Sequence, residues 1–280
     1  LLGIYKNSGD NNFQENKHYF PFFFIFVYIK MRKSNDDEKP AKQKKAELID
    51  WYKKIPKKYL LKTHNPNFNI HGIKVPFRML IIGNSGSGKT QTLLNLLHNF
   101  GGTFQNISIT TKNKHEPLYE YLEDKTKEQG LTITEGIAGL PELDKFDKDE
   151  QTLIVLDDLV LEKQQGKIEE YFIRARKLNC SVIYISQSYF LVPKIIRQNL
   201  SYLIIKQVSS FRDLKLIMSE YSLGIDKAEL KDIYETSTAE KQDFLMVDLE
   251  APPKDRFRKN FTEIFDIDDN EGGGVGCFGK

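Results

Sequence analysis

Short strand-like runs, most of them largely apolar, alternate along this chain with longer segments whose apolar positions recur every three or four residues. The apolar runs fall at residues 77–82, 106–110, 152–156, 181–185, 202–206 and 244–249, and each has the length and β-branched content of a buried strand. Between them, residues 91–98, 116–127, 166–178, 209–221 and 226–236 carry helical periodicity. Gly101-Gly102 closes the first of these helices. Residues 130–150, with Gly136, Gly139 and Pro141, read as irregular. Strands apolar on both faces, alternating with helices, predict an α/β domain with a mostly parallel sheet flanked by helices, spanning about residues 63–265. No internal repeat is visible.

The flanks have a different character. Residues 39–62 are lysine-rich, while Leu48, Ile49, Trp51, Tyr52 and Ile55 supply an apolar stripe. Residues 31–62 therefore read as a basic segment with a short amphipathic helix ending near Pro56. Its lysines are read first as a solvated face, with DNA or a neighbouring subunit as the alternative contact. The chain begins with Leu1, and the first methionine is Met31, followed by a polar run. Residues 1–30 are read as an upstream extension in preference to a membrane or targeting segment. Their apolar run, residues 20–29, is about half the length that a membrane-spanning helix needs, and no small-residue cleavage site follows it. The tail, residues 266–280, is glycine-rich and flexible by composition.

Composition narrows the partners. Of 280 residues, 40% are hydrophobic and 29% charged, a normal globular balance, and the net charge is only +2, so any contact with nucleic acid must come from local patches. Cys180 and Cys277 give neither metal spacing nor a disulfide framework, which points to a reducing, intracellular setting.

The chemistry concentrates at residues 83–90, Gly83-Asn84-Ser85-Gly86-Ser87-Gly88-Lys89-Thr90. They match Gly-x-x-x-x-Gly-Lys-[Ser/Thr] between a strand and a helix. Glycines let successive N–H groups turn inward around a phosphate, and the helix N-terminus favours the same charge. Lys89 would reach the β- and γ-phosphates of a nucleoside triphosphate, and Thr90 would offer its hydroxyl to Mg²⁺. The strand at 152–156 ends in Asp157-Asp158. Asp157 fits the carboxylate that holds Mg²⁺ through water, and Asp158 the one that polarises the attacking water, although it is one methylene shorter than a Glu. Gln187, at the end of the next strand, could contact the γ-phosphate or that water. Arg174, Arg176 and Arg197 are candidates for an arginine inserted into a neighbouring subunit's site. There is no guanine-reading Asn-Lys-x-Asp and no Leu-Ser-Gly-Gly-Gln, which excludes two large classes of phosphate-loop protein.

Four blocks together resemble a known group: residues 81–90, residues 153–158, the Arg-x-x-x-x-Ser-x-x-x-x-Ser-Gln of residues 176–187, and the Pro-x-x-Ile-Arg-x-Asn of residues 193–199. They are similar to the FtsK/HerA-type genome-packaging ATPases of large double-stranded DNA viruses, virophages and polinton-like elements, over about residues 75–260. The resemblance implies a RecA-like core with an extra strand between the phosphate-loop strand and the acidic-pair strand. It implies an ATP- and Mg²⁺-dependent motor that translocates double-stranded DNA into a capsid and works as a homo-oligomeric ring. Its partners would be DNA and a capsid-vertex or other virion protein, with no stable membrane insertion. Its place would be the host cytoplasm, the viral factory or the virion, and it would not be secreted. Lys89, Thr90, Asp157, Asp158 and Gln187 carry over as nucleotide-site residues, and Arg176 and Arg197 as finger candidates. Family members often have His after the first of these arginines, where this chain has Lys177. Two rival readings stand beside the motor: a small-substrate phosphotransferase on the same core, and a non-catalytic, nucleotide-gated assembly protein.

Overall fold

The computed structural model describes residues 47–126 and 130–267. The expectations for residues 1–30 and for most of the glycine-rich tail lie outside them. The chain divides into two compact units, Leu1–Lys53 and Lys54–Lys280. Around their boundary, the expected amphipathic helix is realised among the described residues as a single exposed turn, α1 (Trp51–Lys54).

The second unit holds the remaining elements. Strands β1 (Arg78–Ile82), β2 (Asn106–Thr111), β3 (Leu131–Glu135), β4 (Thr152–Asp157), β5 (Cys180–Ser186), β6 (Tyr202–Ile205), β7 (Leu245–Asp248), β8 (Phe257–Lys259) and β9 (Glu263–Ile264) alternate with helices α2 (Phe68–His71), α3 (Lys89–Asn99), α4 (Pro117–Lys125), α5 (Gln165–Arg174), α6 (Lys194–Arg197), α7 (Phe211–Tyr221) and α8 (Lys227–Ser237). The strands form one sheet in the order β3-β2-β4-β5-β1-β6-β7-β8-β9. β1 to β6 pair in parallel, and β7, β8 and β9 extend the sheet antiparallel. β5 lies between β1 and β4, as the extra strand was expected to.

The period of two along each strand sorts the core into two layers. Met79, Ile81, Val155 and Ile185 face Leu93 and Leu96 of α3 and Tyr119 of α4. Leu80, Ile82, Leu156 and Tyr184 face the side carrying Phe172 of α5, Ile217 of α7 and Ile233 of α8. Truncating any one of these fully buried aliphatic side chains to Ala should cost about 2–5 kcal/mol.

Three strands differ from the sequence reading. β3 falls in residues 130–150, read as irregular, and β8 and β9 were not foreseen. β3 lies at the sheet edge with no fully buried position, so its hydropathy is weak, and flanking Gly130 and Gly136 obscured it. β8 and β9 are two or three residues long and owe their order to pairing, β8 with β7 and β9 with β8. A buried ion pair between Arg258 and Asp248 ties β8 to β7.

Candidate nucleotide site

The loop after β1 is held by backbone bonds from the strands on either side. Gly83 N donates to Ser186 O at the end of β5 (3.3 Å), and Asn84 N donates to Gln207 O just past β6 (2.9 Å). The Asn84 Oδ1 accepts from the Ser209 N–H and hydroxyl. Gly86 and Gly88 have φ of 72° and 86°, in the left-handed region that favours glycine. A Cβ on Gly83 would lie 2.6 Å from the Lys206 Cβ and 2.7 Å from the Ser87 Oγ, so nothing larger fits there. The buried Ser87 hydroxyl packs against Gly83 and has no hydrogen-bond partner.

Lys89 opens α3 and folds back across the loop, its Nζ donating to Gly83 O (2.9 Å) and Asn84 O (2.8 Å). Burial pulls its pKa down, and the charges of Asp157, Asp158 and Glu116 oppose that shift. The ammonium thus rests on neutral carbonyls with three carboxylates in electrostatic reach. An anion in the loop would offer it a stronger acceptor. Thr90 follows in the first helical turn, half-buried.

Asp157 ends β4, in register with Thr111 of β2 and Ile185 of β5. Its Oδ2 accepts a 2.7 Å hydrogen bond from the Tyr119 hydroxyl of α4. Burial pushes the Asp157 carboxyl up to about 6, while the Tyr119 bond acts the other way. A carboxylate that costs this much to bury alone suits a position where a cation arrives to share its charge. Asp158 takes a left-handed backbone (φ 54°), its N–H bonded to Ile185 O at 3.1 Å, and is half-buried. Gln187 follows Ser186, whose register partner is Ile82, so it emerges exposed beside the start of the loop. Residues 83–90, Asp157, Asp158 and Gln187 therefore gather at the C-terminal edge of adjacent parallel strands. Ligands bind at this edge in open α/β sheets.

The arginines sit elsewhere. Arg176 precedes β5 and Arg197 precedes β6, which puts both at the N-terminal edge of the sheet, opposite their own chain's loop. Arg197 is largely buried: its Nε donates to Val192 O (3.2 Å), its guanidinium pairs with Glu220, and it covers the Tyr189 ring at 5.0 Å. The Arg176 guanidinium is half-exposed and pairs with Glu250 at 3.3 Å. Arg174 pairs with Glu170 and Asp144.

Sequence reasoning missed Tyr119 and Lys206. The Lys206 ammonium is buried beside the loop and donates to three successive carbonyls, Lys241, Gln242 and Asp243, at 2.9–3.0 Å. Burial pushes its pKa down to about 8, against the pull of Asp243. A lysine ending an otherwise apolar strand was the available signal; its partners, some 35 residues downstream, were not.

Residues 67–248, more than half of the chain, match the family model described as Poxvirus A32 protein. No curated protein matches the chain. Among solved structures, the genome packaging NTPase B204 from Sulfolobus turreted icosahedral virus 2, in complex with sulfate, superposes with a TM-score of 0.50 at 15% identity, covering 68% of this chain and 98% of that one. The DNA-packaging ATPase B204 from Sulfolobus turreted icosahedral virus gives 0.47 at 15% identity over 71% and 99%. The cytoplasmic domain of the type VII secretion ATPase EccC from Thermomonospora curvata gives 0.46 at 13% identity over 71% and 26%. The first of these likenesses shows the fold, a phosphate-loop NTPase core.

Proposed function

The chain belongs to the Poxvirus A32 protein family, and from that premise we propose that it is an ATP-hydrolysing motor that moves double-stranded DNA into a viral capsid. The observation that carries this reading is the gathering of Lys89, Asp157, Asp158 and Gln187 around one glycine-rich loop. The structural likeness to B204, a genome packaging NTPase, supports the same direction.

The geometry supports the following roles. Backbone N–H groups of residues 83–90 cradle the phosphates, and Lys89 leaves its two carbonyls for the β- and γ-phosphate oxygens. Thr90 and Asp157 would hold Mg²⁺, which would neutralise charge on those oxygens; the Asp157 carboxyl, raised by burial, fits a cation. Asp158 orients the attacking water, and Gln187 reads whether the γ-phosphate is present. Arg176 and Arg197, at the far edge, can serve only a neighbour's site, and Arg176 is the freer of the two. A homo-oligomeric ring around DNA, docked on a virion protein, is the assembly that makes such an arginine useful. Among the described residues no helix is long and apolar enough to cross a membrane.

The test is ATPase activity with and without double-stranded DNA. DNA should stimulate the rate, and Lys89→Ala should lower it about 100-fold or more. An unchanged rate in that variant would refute the site. ATP-dependent phosphorylation of an added small acceptor would favour the phosphotransferase, and tight ATP binding without turnover would favour a nucleotide-gated assembly role.

A further inference from the structure

Lys206 is a buried charge that the phosphate chemistry above does not use, and the residue is only 1% exposed. Its N–H donates to Ile82 O at 2.8 Å, so its backbone lies where β1 gives way to the phosphate loop. From there the side chain runs along the loop. A Cβ on Gly83 would lie 2.6 Å from the Lys206 Cβ, and a Cβ on Gly88 would lie 3.9 Å from the Lys206 Nζ. One stem thus spans the loop from the first glycine of its motif to the last.

The ammonium ends in a turn. The carbonyls of Lys241, Gln242 and Asp243 accept from it at 2.9–3.0 Å, which uses all three of its donors. The Lys241 carbonyl oxygen lies 3.7 Å from where a Gly88 Cβ would stand, so the turn packs on the loop at that glycine. Gly88 has a left-handed backbone (φ 86°), and Lys89 follows it as the first residue of α3. On its other side the turn is tied to the sheet. Asp243 pairs with Lys259 of β8 at 3.0 Å, and its Oδ1 accepts from the Asn260 side-chain amide at 3.0 Å.

Three convergent carbonyls repel one another unless a donor joins them, and a buried ammonium is costly unless it is fully bonded. Lysine and turn therefore hold each other, and what they hold rests on the loop. The carbonyls are neutral, so they satisfy the donors and leave the positive charge in place beside the backbone that would meet phosphate. We propose that Lys206 is a positioning residue of the phosphate loop: it pins the 241–243 turn against Gly88, fixes the loop there in its left-handed conformation, and adds a buried positive charge to it. The inference rests on the nucleotide-binding part of the ATPase reading above. Lys206 touches no phosphate in this role, because its donors are committed; it acts through Gly88 and the N–H groups beside it. Its contribution is the same before and during phosphate transfer, so it bears on affinity and not on the chemical step. Lys89 differs, since it would reach the β- and γ-phosphates themselves.

The experiment compares the full-length wild type with Lys206→Met, which keeps a long stem without charge or donors, and Lys206→Gln, which keeps an amide donor without charge. It measures Tm, the Kd of a non-hydrolysable ATP analogue, and KM and kcat for ATP with DNA present, at a temperature where each variant is fully folded. Lys206→Met should weaken Kd and raise KM about 10-fold or more while kcat stays within about 3-fold of wild type, and Lys206→Gln should fall between. A lowered Tm with Kd within about 3-fold of wild type assigns Lys206 to the stability of the fold alone and overturns the proposal. So does a kcat loss of about 100-fold with Kd unchanged, which would place Lys206 in the chemical step, and so does a failure of both variants to fold. A wild type that binds the analogue but does not turn ATP over removes the ATPase reading, while the Kd comparison still decides Lys206, so the two failures are distinguishable.

Discussion

His71 shows how one side chain can make the fold sensitive to acid. It is fully buried at the end of α2, its Nδ1 accepts a 3.0 Å bond from Ile73 N, and its ring meets Phe100 edge-on at 4.6 Å. That environment suits only the neutral imidazole, and burial lowers its pKa to about 4. Because the folded pKa lies below the unfolded one of 6.5, the stability is complete above about pH 6.5 and declines as pH falls towards 4. The loss should reach about 3 kcal/mol. Urea unfolding at several pH values would show it, and His71→Asn, which keeps an acceptor near the Nδ1 position, should flatten the dependence in that window. An equal slope in the variant would assign the acid sensitivity to other groups. Neither the burial nor the Phe100 contact is legible around His71 in the sequence, since Phe100 belongs to the far end of α3.

At the scale of elements, α7 is the partner of the loop that carries Gln187. The Asp213 carboxylate accepts from Tyr189 N and Phe190 N, both at 3.0 Å, and from the Ser188 hydroxyl at 3.3 Å. Its own N–H is capped by Ser210. The segment immediately after Gln187 is therefore fixed to a helix some 24 residues later. Asp213→Ala leaves two amide donors without their charged acceptor and should cost about 2–4 kcal/mol. Beyond that loss, at temperatures where the variant is fully folded, it should reduce DNA-stimulated turnover more than ATP binding, because Gln187, which we propose reads the γ-phosphate, loses its anchor. Equal losses in both would separate Asp213 from that role. Most elements of the sheet were legible because each is a contiguous run with one period. β3 was not, since an edge strand needs burial on neither face to be held by β2. β8 and β9 are too short to show a period at all.

Across the molecule, the sheet separates two chemistries. The phosphate loop and its carboxylates lie at one end of the parallel strands, and Arg176 and Arg197 lie at the other. An arginine so placed cannot reach a nucleotide in its own loop, which gives the proposed oligomer a direct test. Arg176→Ala and Lys89→Ala should each be inactive alone. Mixed, they should regain part of the DNA-stimulated ATPase rate, because a Lys89→Ala subunit still supplies Arg176 to a neighbour whose loop is intact. No recovery over a range of mixing ratios would count against an arginine acting in trans from this position. The Arg197 pairing with Glu220 and its cover over Tyr189 predict instead that Arg197→Ala lowers Tm.

Residues 83–90 and Asp157-Asp158 could be read without the fold because their chemistry is local: glycine torsions, a helix N-terminus and a carboxylate at a strand end are properties of neighbouring residues. The alternation of apolar strands with helices likewise determined the parallel α/β core. Only the tertiary structure decided that Tyr119 grips Asp157 and that Lys206 is spent on the carbonyls of residues 241–243. It alone separated a buried, paired Arg197 from a half-exposed Arg176. The reason is distance along the chain. Tyr119 and Asp157 are 38 positions apart, and no period or motif connects residues whose proximity exists only once β2 has paired with β4.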